Sequence, residues 1–83
     1  MRVIIHEHAN ARMKERGVTQ DEIIETANFG EQFPAKFGRI GYRRNFKFDL
    51  EWQGKFYHTK QVEIFTIREN DAVVVITVVA KYF

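Results

Sequence analysis

Residues 39–50 read RIGYRRNFKFDL, and their spacing decides the fold. Ile40, Tyr42, Phe46, Phe48 and Leu50 alternate with Arg39, Gly41, Arg43, Asn45, Lys47 and Asp49. A period of two belongs to a strand with one side against a core and the other in water. One face of this strand is apolar and the other cationic. Before residue 30 the apolar period is that of a helix, so the chain divides into a helical first third and a β-rich remainder. Such a division specifies an α+β domain, not alternating β-α units.

Working towards the C-terminus, Gln53-Gly54 is a turn signal, and Phe56 to Arg68 reads as a second long strand. Asn70-Asp71 offers a tight hairpin turn into a third strand, Ala72 to Phe83, with valines on both faces. A strand apolar on both faces is central or is covered by something else. Working towards the N-terminus, residues 31–38 read as a loop around Pro34. Residues 7–16 read as a helix that stops at Gly17, a good left-handed terminator. Thr19 and Glu22 form a capping box that opens a second helix with an Ile23-Ile24-Ala27 stripe, ending at Asn28-Phe29-Gly30. The expected architecture is a single α+β domain over residues 1–83. It comprises a strand over 1–5, a helical hairpin over 7–30 and an antiparallel meander over 39–83, the hairpin packing on three to four strands.

Composition removes several function classes. The 83 residues are 45% hydrophobic and 14% aromatic, which is globular and not disordered. Cysteine and serine are both absent, so there is no disulfide framework, thiolate metal site or serine or cysteine nucleophile. The apolar run Ala72 to Ala80 is too short to cross a bilayer, and the N-terminus lacks a signal-peptide pattern. A cytoplasmic protein is expected, with no membrane partner. His6-Glu7 begins an HExxH pattern, but Asn10 stands where the second histidine belongs. No third ligand accompanies His6, His8 or His58, so no metal and no other cofactor is expected.

Charge is uneven. Residues 36–60 hold seven cations, Lys36, Arg39, Arg43, Arg44, Lys47, Lys55 and Lys60, against Asp49 and Glu51, a local net of +5. Such an excess suits a polyanion or a solvated strand equally. On a helical wheel His8, Arg12 and Arg16 form a ladder bordering the Ala9-Met13 stripe. Arg16, in the last turn, suits the helix dipole. By strand parity Arg44 and Lys60 point to the apolar face. A buried cation needs a partner, which predicts ion pairs to helix carboxylates such as Glu22 or Glu25. The functional alternative gathers Arg44, His58 and Lys60 in a cleft.

The block His8-Ala9-x-x-Arg12-Met13-x-x-Arg16-Gly17-Val18-Thr19 resembles the signature of a family of small bacterial domains of unknown function. Lys60-Gln61-Val62-Glu63-Ile64 and Val74-Val75-Ile76-Thr77-Val78-Val79 are similar to its late strands, so the resemblance spans nearly the whole chain. The chain departs from the pattern at His6, where the family carries a serine or threonine helix cap. The family is related to the RelE/ParE/BrnT group of toxin-antitoxin toxins. That resemblance implies a helical hairpin followed by an antiparallel sheet. It also implies one of two activities, metal-independent cutting of messenger RNA or, as in the ParE type, binding of a protein target. The matched positions are His8, Arg12 and Arg16, and the resemblance assigns them no catalytic role.

The expected function is therefore an RNA-binding, toxin-like domain, with metal-independent endoribonuclease activity as the expected chemistry. His8, Arg12, His58, Lys60 and Tyr82 are the candidate catalytic residues, because such cleavage needs only a base, an acid and cations. Arg39, Arg43, Arg44 and Lys47 are the candidate phosphate contacts. The alternative is a non-catalytic module that binds an antitoxin-like or other protein, or a second copy of the chain.

Overall fold

The computed structural model describes residues 2–83. Met1, the first residue of the expected 1–5 strand, lies outside them. Strand β1 (Arg2–Ile5) leads into helix α1 (Glu7–Glu15), then α2 (Gln20–Phe29), strand β2 (Glu31–Pro34), a 3-10 turn (Lys36–Gly38), and strands β3 (Ile40–Trp52), β4 (Lys55–Glu69) and β5 (Ala72–Tyr82). The α+β class holds, but the sheet has five strands in the order β1-β5-β4-β3-β2. It is mixed: β1 runs parallel to β5, whereas the other three pairings are antiparallel. The expectation of a purely antiparallel sheet of three or four strands fails at its two edges. The residues expected as a loop around Pro34 supply one edge strand, paired Glu31 to Arg43 and Phe33 to Gly41. Proline is tolerated there because an edge strand needs no donor on its outer side.

Both helices lie on one face of the sheet. The α1 helix packs on β5, and α2 on β3 and β4, so each rests on the sheet more than on its neighbour. The expected helical hairpin is thus two helices joined by a tight turn and held by the strands. The local signals explain the helix ends. Thr19 Oγ1 accepts from the Glu22 amide and Glu22 Oε1 accepts from the Thr19 amide, closing the predicted capping box. His6 does cap α1, its Nδ1 accepting from the His8 amide at 3.2 Å. Gly17 has φ +69, and a Cβ there would come within 2.6 Å of the Trp52 ring. Both facts require glycine.

The core joins Ala9, Val18, Ile23 and Ala27 of the helical segment to Tyr42, Val62, Ile64, Val73, Val75 and Val78 of the sheet. On β4 these residues keep the period of two, but on β5 the core passes from Val73 and Val75 to Val78, because the β4–β5 register shifts at Ile76. Parity fails past Lys47, where the β3–β4 register shifts before Leu50 and Asp49 takes φ 50. Leu50 consequently leaves the core and is exposed. The β3–β4 hairpin closes on Gln53-Gly54, both at positive φ (53° and 83°), as a two-residue turn joining twisted strands requires. No helix is long and apolar enough to cross a membrane among the described residues.

The opposite face carries no helix among the described residues. Its rows follow from the register: Phe33, Gly41, Phe65 and Thr77 in one, Arg43, Glu63 and Val79 in the next, Ile67, Val74 and Ile4 near the β1 edge. Several of these side chains are apolar although no second layer covers them.

Candidate functional site

The nine residues singled out from the sequence do not form one cleft. Lys60 and Tyr82 do come together, as register partners on β4 and β5 beneath the α1–α2 turn. Lys60 is only 5% exposed. Its Nζ lies 2.8 Å from Glu22 Oε1 and donates to the Gly17 carbonyl at 2.9 Å. The ammonium also sits over the Phe48 ring, 5.3 Å from its centroid. Tyr82 donates its hydroxyl to the Arg16 carbonyl at 2.6 Å. Its ring stacks on Trp52 at 5.1 Å and meets Phe48 edge-on at 5.2 Å. Burial raises the Tyr82 pKa above its ordinary value, and the nearby Glu22 charge adds to this. Arg16 completes the arrangement by donating to the Val78 carbonyl at 3.0 Å. Every polar group in this cluster thus holds the end of α1 and the start of α2 on the sheet. The Arg44 and Lys60 ion pairs expected by parity are both present: Lys60 with Glu22, and Arg44 with Glu25 at 3.4 Å.

His58 is elsewhere. It is 79% exposed along its side chain, and its Nδ1 lies 2.8 Å from Asp49 Oδ1 at the β3 irregularity. Lys47 pairs loosely with the same Asp49 at 3.8 Å. Arg12 pairs with Glu15 at 2.8 Å, one turn along α1, and His8 is exposed on that helix. The alternative, a convergence of Arg44, His58 and Lys60 in one cleft, therefore does not occur. His58 instead meets Asp49 at the β3 irregularity, and Glu25 and Glu22 hold Arg44 and Lys60 against α2.

The candidate phosphate contacts divide in the same way. Arg43 lies between Glu31 and Glu63, 3.4 Å from each, with its guanidinium 4.3 Å above the Phe33 ring centroid. The Nε atoms of Arg43 and Arg44 are close to carboxylates yet make no well-aligned hydrogen bond, so charge proximity holds them more than directional bonding. Arg44 is paired with Glu25, whereas Lys47 stays largely exposed and pairs only loosely with Asp49. Arg39 alone of the four has no carboxylate within 4 Å among the described residues, and the neighbouring Lys36 has none either.

Sequence reading misses what surrounds these two cations. Phe33, Pro34, Ala35, Lys36, Phe37, Arg39, Phe65 and Thr77 line an open hollow of about 630 Å³ on the helix-free face. Gly41 allows its floor, since a Cβ there would lie 2.3 Å from Phe33 Cζ. With no side chain in the way, Phe33 lies across β3 and meets Phe65 edge-on at 5.9 Å. Phe37 stands at the rim, 88% exposed, at φ 62 and ψ 33. A non-glycine residue in that region is uncommon, and a bulky exposed one has no packing reason to be there. The available signal is Phe37-Gly38 beside Pro34 and Arg39, an aromatic among turn residues and cations.

The chain matches no protein-family model, no curated protein and no solved structure. The site is therefore read from its own geometry.

Proposed function

We propose that this domain is a non-catalytic interaction module that binds a protein partner through its helix-free sheet face. The observation that carries this reading is the occupation of the cationic and tyrosine side chains suited to RNA cleavage. Lys60, Tyr82 and Arg16 are bonded into the α1–α2 junction, and Arg43 and Arg44 are paired to carboxylates. General acid-base catalysis needs its groups within reach of one reacting atom. His8, His58 and Lys60 lie on three different parts of the molecule. Meanwhile the sheet leaves Phe33, Phe65 and Phe37 available beside two cations that have no carboxylate partner among the described residues. Of the two activities implied by the resemblance to RelE/ParE-type toxins, the geometry favours binding of a protein target over cutting of RNA. The test is direct. Purified protein incubated with varied RNAs in EDTA is expected to leave them intact. Cleavage with 2′,3′-cyclic ends, lost in a folded His58→Ala or His8→Ala variant, overturns the reading.

A further inference from the structure

We infer that the hollow around Phe33 and Phe65 is the docking site for an extended, acidic-apolar peptide segment of a partner protein. This rests on the interaction-module reading and specifies its ligand. Three observations carry it. The first is charge complementarity. Lys36 and Arg39 have no carboxylate within 4 Å among the described residues, as is also true of Arg2, Lys14, Arg16, Lys55 and Arg68, but these two alone among the unpaired cations line the hollow. The hollow therefore presents two unsatisfied positive charges above an apolar floor.

The second is shape. A further hollow of about 430 Å³, lined by Gln32, Gly38 and Ile40, shares Phe33, Pro34, Ala35 and Arg39 with the first. Together they form a trough along residues 32–40. An open trough of that length suits a chain, whereas small ligands are mostly enclosed. The neighbouring sheet edge is a poor alternative, because Pro34 has no amide to donate to an added strand.

The third is Phe37. Its ring touches solvent on nearly all sides, and the Arg39 guanidinium lies 5.8 Å from its centroid. A ring held out at a disfavoured φ is placed to close over a bound side chain, and aromatics of this kind dominate binding energy at interfaces. In an extended peptide, alternate side chains share a face. Large apolar residues would rest on Phe33 and Phe65, and the intervening carboxylates would reach Lys36 and Arg39. An RNA strand fits less well, because sequence-independent binding needs a track of free cations, and Arg43, the next cation on this face, is already paired with Glu31 and Glu63.

The experiment uses the full chain, labelled with ¹⁵N, and a synthetic eight-residue peptide alternating leucine with glutamate. A version with lysine replacing glutamate and a single-stranded RNA dodecamer are the comparisons. The acidic peptide is expected to shift the amide signals of residues 33–39, 65 and 77, and the lysine version to leave them unmoved. Phe37→Ala should weaken binding about tenfold, as for an interfacial aromatic anchor. The double variant Lys36→Glu with Arg39→Glu should lose the acidic peptide and gain the lysine version. Both side chains lie at the rim of an open hollow with no ion pair to lose among the described residues, so the double variant is expected to fold, and Trp52 fluorescence checks that. Shifts confined to another surface would overturn the docking site and leave the module reading intact. Equal binding of both peptides, or none, would overturn the proposed ligand. Shifts of this trough by RNA and not by peptide would overturn both readings.

Discussion

Replacing Lys60 with methionine separates a structural cation from a catalytic one. Methionine keeps the buried aliphatic stem and removes the ammonium. Two charge-assisted contacts disappear, to Glu22 Oε1 at 2.8 Å and the Gly17 carbonyl at 2.9 Å. Hydrogen bonds to charged groups contribute about 1.5–3 kcal/mol each, and an orphaned buried carbonyl costs about 1–3 kcal/mol. The full cost of breaking a buried pair, about 3–5 kcal/mol, is an upper bound here. Glu22 is 19% exposed along its side chain and also accepts from the Thr19 amide, so water and the cap relieve part of the loss. The net expectation is about 2–4 kcal/mol. A domain of 83 residues has about 4–12 kcal/mol in all at 0.05–0.15 kcal/mol per residue, so the loss is a large fraction. Urea unfolding followed by the fluorescence of the single Trp52, which stacks on Tyr82, should show a midpoint lower by about 1–3 M. Glu22→Gln keeps the capping acceptor and should cost about half as much. The double variant should fall short of the sum by about 1 kcal/mol or more, because the two residues share one interaction. A Lys60→Met protein within about 0.5 kcal/mol of wild type would refute this account and return Lys60 to the catalytic candidates.

Gly17→Ala should destabilise by more than Gly54→Ala, since both have positive φ but only Gly17 is crowded by Trp52 and Tyr82; paired thermal melts give the comparison. Because the Tyr82 pKa is raised, the folded state holds that proton more tightly than the unfolded chain. Its contribution is complete below the ordinary tyrosine value of about 10 and fades as pH rises from there through the folded value. Stability measured across alkaline pH should fall less steeply in Tyr82→Phe. Val75→Lys places a charge in a fully buried core position and should unfold the protein, whereas Ile76→Lys, at the β4–β5 register shift, should leave it folded; circular dichroism distinguishes them. Phe37→Gly should leave stability unchanged or raise it by up to about 1 kcal/mol, because it relieves a left-handed backbone and uncovers nothing.

Local chemistry makes part of this molecule legible in its sequence. The Thr19-Glu22 capping box, the stop at Gly17 and both hairpin turns act over a few residues, and each is present. The partners of Lys60 and Arg44 are legible because strand parity puts two cations on an apolar face, and only helix carboxylates stand within reach. What stays hidden is non-local. The β1 strand is specified by β5, about seventy residues away in sequence, and four residues carry no sign of whom they pair with or in which direction. The β2 strand reads as a loop because Pro34 interrupts a segment too short to show a period. The β3 irregularity at Asp49 leaves no mark on the alternation, so Leu50 reads as a core residue although it is exposed. The hollow is invisible for a related reason. It depends on Phe33 lying over Gly41, a contact between strands that spacing along one strand does not encode.

The central claim is that the binding chemistry lies in the trough at Lys36 and Arg39 and not in the paired cations. The most direct measurement is fluorescence anisotropy of a labelled leucine-glutamate peptide, titrated with the wild type and with the Lys36→Glu, Arg39→Glu double variant. The expected result is saturable binding by the wild type, lost in the variant, which instead takes up the leucine-lysine peptide. Unchanged affinity in a folded variant would contradict the claim.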